Sequence, residues 1–314
     1  MRKFASKIFF FILFVIIVLG LIDFGFSKFL KITTIAQGEY EVWNDIYTSN
    51  ADCEIAIYGS SRAWVHIDPE ILSDSLNKKA YNFGLDGHSF WLQYLRHKEY
   101  QKHNKNPKII IQSVDIFTLE KIEIPYNFNQ FLPYMLFNKN IKYYTKPYKY
   151  YSEIDFYLPL VRYRGKYIEL IKGLENVISG DYKVSFRQKG FKAVDKHWGD
   201  DFENAKAKKD YYKIDLDEDV ISLFETFVQE CKSEGIELIL IYTPEHIDGQ
   251  KYMLNRQDVI DVYKDLAVKY ELLFIDYSDD NICLNKDLFY NATHLNRKGA
   301  ELLSKKIAND LKHR

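Results

Sequence analysis

The chain is short of the residues that mark several protein classes. It has 14 Gly and 7 Pro in 314 residues, too few for a collagen-like or low-complexity polymer. Charge of one sign is missing too. Lys and Arg number 43 against 44 Asp and Glu, a formal net charge of −1. No global electrostatic argument for nucleic-acid binding exists, and none is expected. Cysteine is scarce: Cys53, Cys231 and Cys283 have no C-x-x-C spacing, which argues against a zinc ribbon or a redox motif. Their apolar neighbours make them expected small buried hydrophobes. There is no P-loop, no G-x-G-x-x-G and no internal repeat, so no nucleotide cofactor is expected, and no metal.

What is present is ordinary globular material, 47% hydrophobic and 28% charged. Aromatics are abundant, with 25 Tyr, 22 Phe and 4 Trp. A wide half-wet groove would use many tyrosines, but core packing and lineage composition account for them more simply. Residues 1–30 stand apart. Arg2, Lys3 and Lys7 precede the uncharged run Ile8 to Ile22, which Asp23 ends. Extended back through Phe4 with Lys7 snorkelling, the run approaches the roughly 20 residues a membrane span needs. Large residues crowd the place where a signal peptidase would need small ones, so an uncleaved signal anchor over residues 4–22 is expected. The positive flank then stays cytoplasmic and the bulk of the chain lies outside the cytoplasmic membrane, in the periplasm.

After a linker over 24–50, short apolar runs alternate with helical patterns. Strands are expected at 54–58, 80–83, 108–113, 236–242 and 272–275. Helices are expected at 68–77, 88–104, 220–233, 256–270 and 296–312. This alternation predicts a parallel sheet of about five strands covered on both faces, a three-layer α/β/α domain over 31–314. Between about 116 and 217 the alternation fails. That Tyr- and Lys-rich stretch reads as an insertion, helical near 160–178, expected to cover the carboxyl ends of the strands.

Ligands of such a sheet bind beyond those carboxyl ends, where three motifs fall. Tyr58-Gly59-Ser60-Ser61-Arg62 follows the first strand: a sharp turn can present a serine at a helix start, though a plain helix cap uses the same residues. Asn82-Phe83-Gly84-Leu85-Asp86-Gly87-His88-Ser89 follows the second and can offer the Gly87 N–H to a ligand. Asn291-Ala292-Thr293-His294-Leu295-Asn296 precedes the last helix, and His294 is a candidate general base. Its Asn291-x-Thr293 triplet also matches a glycosylation sequon, a frequent coincidence.

In this order the three motifs resemble the SGNH (GDSL-like) hydrolase superfamily, over about 54–115 and 236–314. The Gly59-Ser60-Ser61-Arg62 form behind an N-terminal anchor resembles its membrane-anchored bacterial envelope branch. The resemblance implies that Ser61 is the nucleophile, with Ser60 standing where many members have Asp. It implies that the N–H groups of Ser61 and Gly87 form the oxyanion hole and that His294 is the base. Two positions depart from the family. Its acid, three residues before the His, is Asn291 here. The Asn that usually completes the oxyanion hole is replaced by Val114, within Gln112-Ser113-Val114-Asp115. In serine proteases an Asp-to-Asn change behind the His costs about 10⁴ in turnover; a lost oxyanion donor costs about 3–4 kcal/mol. Asp287 could supply the missing carboxylate, and Gln112 or Ser113 the missing donor. Ser60, Arg62, Asp115 and His246 are further pocket candidates.

The expected function is therefore a serine esterase or acyltransferase acting on acyl groups, O-acetyl among them, of envelope glycans or a related acylated small substrate. The alternative is a catalytically weakened SGNH-fold protein that binds glycan or joins an envelope assembly. A third reading, an unrelated flavodoxin-like binding protein, leaves the serine and histidine at matching edges to chance.

Overall fold

The computed structural model describes residues 2–120, 123, 126–208 and 211–313. In chain order the elements are α1 (Arg2–Lys31), α2 (Glu39–Tyr47), β1 (Ile55–Tyr58), α3 (Ser61–His66), α4 (Pro69–Leu76), β2 (Ala80–Asn82), α5 (Phe90–His103), β3 (Ile109–Val114), α6 (Lys139–Thr145) and α7 (Tyr167–Ser179). Then come α8 (Asp201–Lys208), α9 (Glu218–Ser233), β4 (Glu237–Tyr242), α10 (Ile247–Tyr252), α11 (Arg256–Tyr270), β5 (Leu273–Asp276), β6 (Phe289–Asn291), β7 (His294–Leu295) and α12 (Arg297–Lys312). They form two compact units: residues 1–44 with 123–186, and residues 45–122 with 187–314.

The second unit is the α/β domain. Its five strands run parallel in the order β2-β1-β3-β4-β5, the doubly wound order of flavodoxin-like folds. β1, β3 and β4 are continuous apolar runs because both sheet faces are covered. Side chains alternate between the faces. Ile55 and Ile57 of β1, Ile109 and Ile111 of β3, and Ile239 and Ile241 of β4 pack with Ala63 of α3, Leu72 of α4 and Leu303 and Ile307 of α12. Their neighbours point the other way. Tyr58 stacks edge-on to His97 of α5 (5.4 Å), Gln112 donates to Gln93 of α5 (3.0 Å), and Phe90 of α5 meets Phe224 of α9 (4.6 Å). Tyr263 of α11 joins that second layer against Phe224. The architecture is thus the three-layer α/β/α sandwich that the sequence pattern predicts. The three cysteines are buried, as expected, and all are free thiols.

The other unit is built from two distant segments. The expected linker over 24–50 is largely helical: α1 continues to Lys31, and α2 follows. Asp23 lies within the helix, and its carboxylate is gripped by Arg162 through two bonds of 2.7 Å. Tyrosines serve this unit's interior as well as its surface. Tyr40 donates to the Asn129 carbonyl (2.9 Å) and Tyr163 bonds Ser27 (2.8 Å), while Tyr143, Tyr157 and Tyr167 are exposed. Residues 123–186 of the expected insertion belong here, whereas 187–217 belong to the α/β unit.

Candidate active site

β1 and β3 flank the point where the strand order reverses, and the crevice beyond their carboxyl ends is where such folds bind ligands. The chain leaves β1 through Gly59 at φ +148°, a conformation that L side chains rarely adopt. A Cβ there would lie 2.7 Å from the Ser113 carbonyl oxygen and 2.7 Å from the Ala63 Cβ, so only glycine permits the turn. The turn delivers Ser60 as the cap of α3 and Ser61 as its first residue. Ser60 accepts the Arg62 N–H (3.2 Å) and gives its own proton to the buried Asp115. That carboxylate also takes the Phe117 N–H at 2.8 Å. Ser60 and Asp115 are therefore occupied with each other, and the half-buried Ser61 is the serine left facing outwards.

His294 reaches it from 233 residues away. The hairpin β6–β7 pairs Asn291 with His294 across a tight turn. It places His294 Nε2 2.8 Å from Ser61 Oγ. The hairpin is tied to α3 by His66: the Leu295 N–H donates to His66 Nε2 (3.0 Å), so the other ring nitrogen carries the proton and donates to Thr243 Oγ1 (3.1 Å). Both ends of this six-residue helix thus serve the site, Ser61 as the first residue and His66 as the last.

Asn291, three residues before His294, orients the imidazole. Its Oδ1 accepts the N–H groups of Thr293 (3.1 Å) and His294 (2.9 Å) and lies 3.0 Å from His294 Nδ1. Two backbone donors fix which end of the amide faces the ring. The ring therefore holds its proton on Nδ1 and leaves Nε2 free to accept from Ser61. Thr293 Oγ1 is also 3.0 Å from Nδ1, and Tyr290 stacks on the ring at 5.4 Å. What is missing is charge. Burial, aided by the Arg62 guanidinium, pushes the His294 pKa down to about 3.

The oxyanion donors expected at Ser61 and Gly87 lie at the start of α3 and in the loop after β2. Gly87 is exposed with φ +72°, and neither N–H has a protein acceptor among the described residues. Val114 is fully buried, Gln112 turns to α5, and Ser113 lies beneath Gly59. Arg62 is buried too. It pairs with Glu245 at 2.5 Å and donates to Thr243 Oγ1 at 3.2 Å, while Glu245 also receives Arg256 (3.0 Å) and Tyr242 (3.0 Å). His246 caps α10 through Nδ1 and its ring sits between Trp198 and Phe289. Its N–H holds the Ala292 carbonyl (3.0 Å), which steadies the turn of the hairpin. Asp287 is exposed and lines a cleft of about 430 Å³ with Lys196, His197 and Arg297; the hydrogen-bond partners of His294 Nδ1 are Asn291 and Thr293 instead. A smaller cavity of about 170 Å³, with Phe202, Gly249 and Tyr252 in its wall, backs onto Asn291 and Thr293. Among the described residues no group of three His, Cys, Asp or Glu could hold a metal ion.

Sequence reasoning missed His66, Thr293, Tyr290 and the Thr243–Glu245 network. Thr293 and Tyr290 flank His294 and were within reach of a closer local reading. His66 acts across 229 residues and carried no signal.

Desolvated imidazoles give the fold a pH dependence, and His246 is among them, its pKa lowered by burial. Burial lowers the pKa of His66 well below its ordinary value and those of His97 and His294 to about 3. The unfolded chain binds these protons near pH 6.5, and the native state does not. Stability is thus full above pH 6.5 and falls below it, by about 1.4 kcal/mol per pH unit for each group. The melting temperature should drop by many degrees between pH 7.5 and pH 5, and His97→Phe should reduce that drop. Equal melting temperatures at the two pH values would contradict this assignment.

No protein-family profile matches the chain, and no curated protein matches it. Solved structures do resemble it. An acetyl xylan esterase, AlAXEase, aligns at 12% identity over 82% of this chain and 99% of its own, with a TM-score of 0.42. A GDSL-like lipase from Bacteroides thetaiotaomicron aligns at 10% identity over 82% of this chain and 88% of its own, with a TM-score of 0.35.

Proposed function

We propose that this chain is an SGNH-type serine ester hydrolase or acyltransferase, tethered by α1 and acting on acyl groups of envelope glycans outside the cytoplasmic membrane. The observation that carries the reading is the relay Ser61 Oγ, His294 Nε2, His294 Nδ1, Asn291 Oδ1, with links of 2.8 and 3.0 Å. The tether rests on α1, a helix long and apolar enough to cross a membrane.

In this mechanism Ser61 Oγ attacks the ester carbonyl carbon while its proton passes to His294 Nε2. The carbonyl oxygen becomes an oxyanion facing the N–H groups of Ser61 and Gly87. The carbon–oxygen bond to the leaving alcohol breaks, and that alcohol takes the proton from His294. Water or a sugar hydroxyl then repeats the sequence on the acyl-serine, giving its proton to His294 and regenerating Ser61.

The neutral Asn291 is the favoured ground for the alternative, a weakened binding protein of the same fold. Asn291→Asp separates the two. The backbone donors that fix Oδ1 would receive a carboxylate equally well, so tautomer and geometry stay. A charge-assisted bond to the imidazolium exceeds a neutral one by about 1–2 kcal/mol, about 5- to 30-fold in turnover. The same charge raises the His294 pKa. The base must be neutral, so activity is lost as pH falls through its folded pKa. The variant's kcat/KM should therefore show an acid limb at a higher pH than the wild type's. A variant as slow as the wild type with the same pH profile would mean that another group orients His294. Absence of acylation in every variant would favour the binding protein.

A further inference from the structure

We propose that Phe137, Ile154, Tyr157 and Leu158 form a knob that inserts into the lipid interface beside α1, so that their unit is seated on the bilayer as well as tethered to it. The proposal rests on the reading of α1 as a membrane span. Its ground is depth. Lys7 and Lys28 bracket Ile8 to Ser27, about 20 residues, which at 1.5 Å each fill the roughly 30 Å of hydrocarbon. Asp23 to Ser27 then lie in the last turn before the headgroups. An acidic group at that depth needs full pairing. The segment 160–163 supplies it: the Leu160 N–H donates to Asp23 (2.7 Å), and Arg162 grips the carboxylate with two bonds while donating to Ser27 Oγ (2.9 Å). Tyr163 meets both Ser27 and the Phe26 ring (5.8 Å). This segment is thereby fixed at the level where α1 leaves the hydrocarbon.

Leu158 lies two residues before Leu160, and its N–H bonds the Ile154 carbonyl. Phe137 donates to the Phe156 carbonyl (2.8 Å), and its ring lies 6.4 Å from Tyr157. Four large apolar side chains are therefore gathered beside the segment that holds Asp23. They are 65%, 46%, 48% and 49% exposed. In water such a cluster is a liability; at a bilayer surface it is a wedge. Lys142 lies over the Tyr157 ring at 4.8 Å, bonds its hydroxyl at 2.9 Å and also pairs with the exposed Glu153, so the knob's edge carries an ion pair. An aromatic ring with a basic tip is the usual pairing at headgroup depth. The occupant is a lipid surface, because the knob adjoins the helix that enters it.

The test uses the full-length protein in phosphatidylethanolamine–phosphatidylglycerol vesicles whose acyl chains are brominated near the headgroup. Tryptophan is placed singly at Leu158, Phe137, Leu13 in α1, and Val268 on the exposed face of α11. Leu158→Trp and Phe137→Trp should be quenched at least about twofold more than Val268→Trp, as should Leu13→Trp. If Leu13→Trp is quenched while neither knob variant exceeds Val268→Trp, the knob proposal is overturned and the span stands. If Leu13→Trp is not quenched, the span fails and the proposal with it. A disulfide-linked dimer of Leu158→Cys, alongside an unquenched Leu158→Trp, would assign the knob to a second copy and equally overturn it.

Discussion

Ser61→Ala and His294→Ala should each lower kcat/KM for an activated acetyl ester by about 10⁴ or more, and the double variant should be little slower than either. The two side chains share one proton along a 2.8 Å contact. Removing the hydroxyl leaves nothing to acylate, and removing the ring leaves the hydroxyl protonated, so the second deletion finds little left to remove. Ser60→Ala should behave differently. The Ser60 hydroxyl is bound to the buried Asp115 and caps α3. Its loss should reduce stability by about 1 kcal/mol while leaving most of the activity. Losses that multiply in the Ser61/His294 double variant would mean that the residues act separately. A Ser60→Ala loss as deep as that of Ser61→Ala would move the nucleophile.

Arg62→Ala should destabilise the α/β unit by about 3–5 kcal/mol, read from urea unfolding at pH 7.5. Arg62 and Glu245 are 2% and 1% exposed, so deleting the guanidinium leaves a carboxylate inside the protein with Arg256 and Tyr242 as its remaining partners. Thr243 would also lose the Arg62 bonds that help hold it beneath His66. The paired change Arg62→Met with Glu245→Leu should cost much less, because neither charge is then stranded. A cost below about 1 kcal/mol for Arg62→Ala would show that the pair is not buried in solution.

Much of the α/β unit was legible because its signals are local. Ile55-Ala-Ile-Tyr58 and Ile109-Ile-Ile111 read as strands covered on both faces, and 256–270 reads as a helix from its own periodicity. Ser61, Asn291 and His294 were legible for the same reason, each lying within a short motif at an element boundary. The rest depends on partners far apart in sequence. α3 is six residues long, too short for a period, and its purpose shows only when His66 meets Leu295. Asp23 read as the end of the apolar run because its neutralising partner, Arg162, is 139 residues away. The unit holding α1 reads from the sequence as an anchor, a linker and an insertion, since no one of these segments carries a core pattern. Asp287 was a reasonable candidate by spacing, but its side chain is exposed and Asn291 already holds the ring.

The central claim is that Ser61 is an activated nucleophile although Asn291 carries no charge. Reaction with a fluorophosphonate tests it most directly, because an activated serine attacks its phosphorus far faster than an ordinary hydroxyl does, with fluoride as the leaving group. The full-length protein should gain one phosphonyl group, mapped by mass spectrometry to the peptide carrying Ser61. Labelling should persist in Ser60→Ala, quicken in Asn291→Asp and vanish in Ser61→Ala and His294→Ala. An unlabelled protein, or a label that remains in Ser61→Ala, would contradict the account.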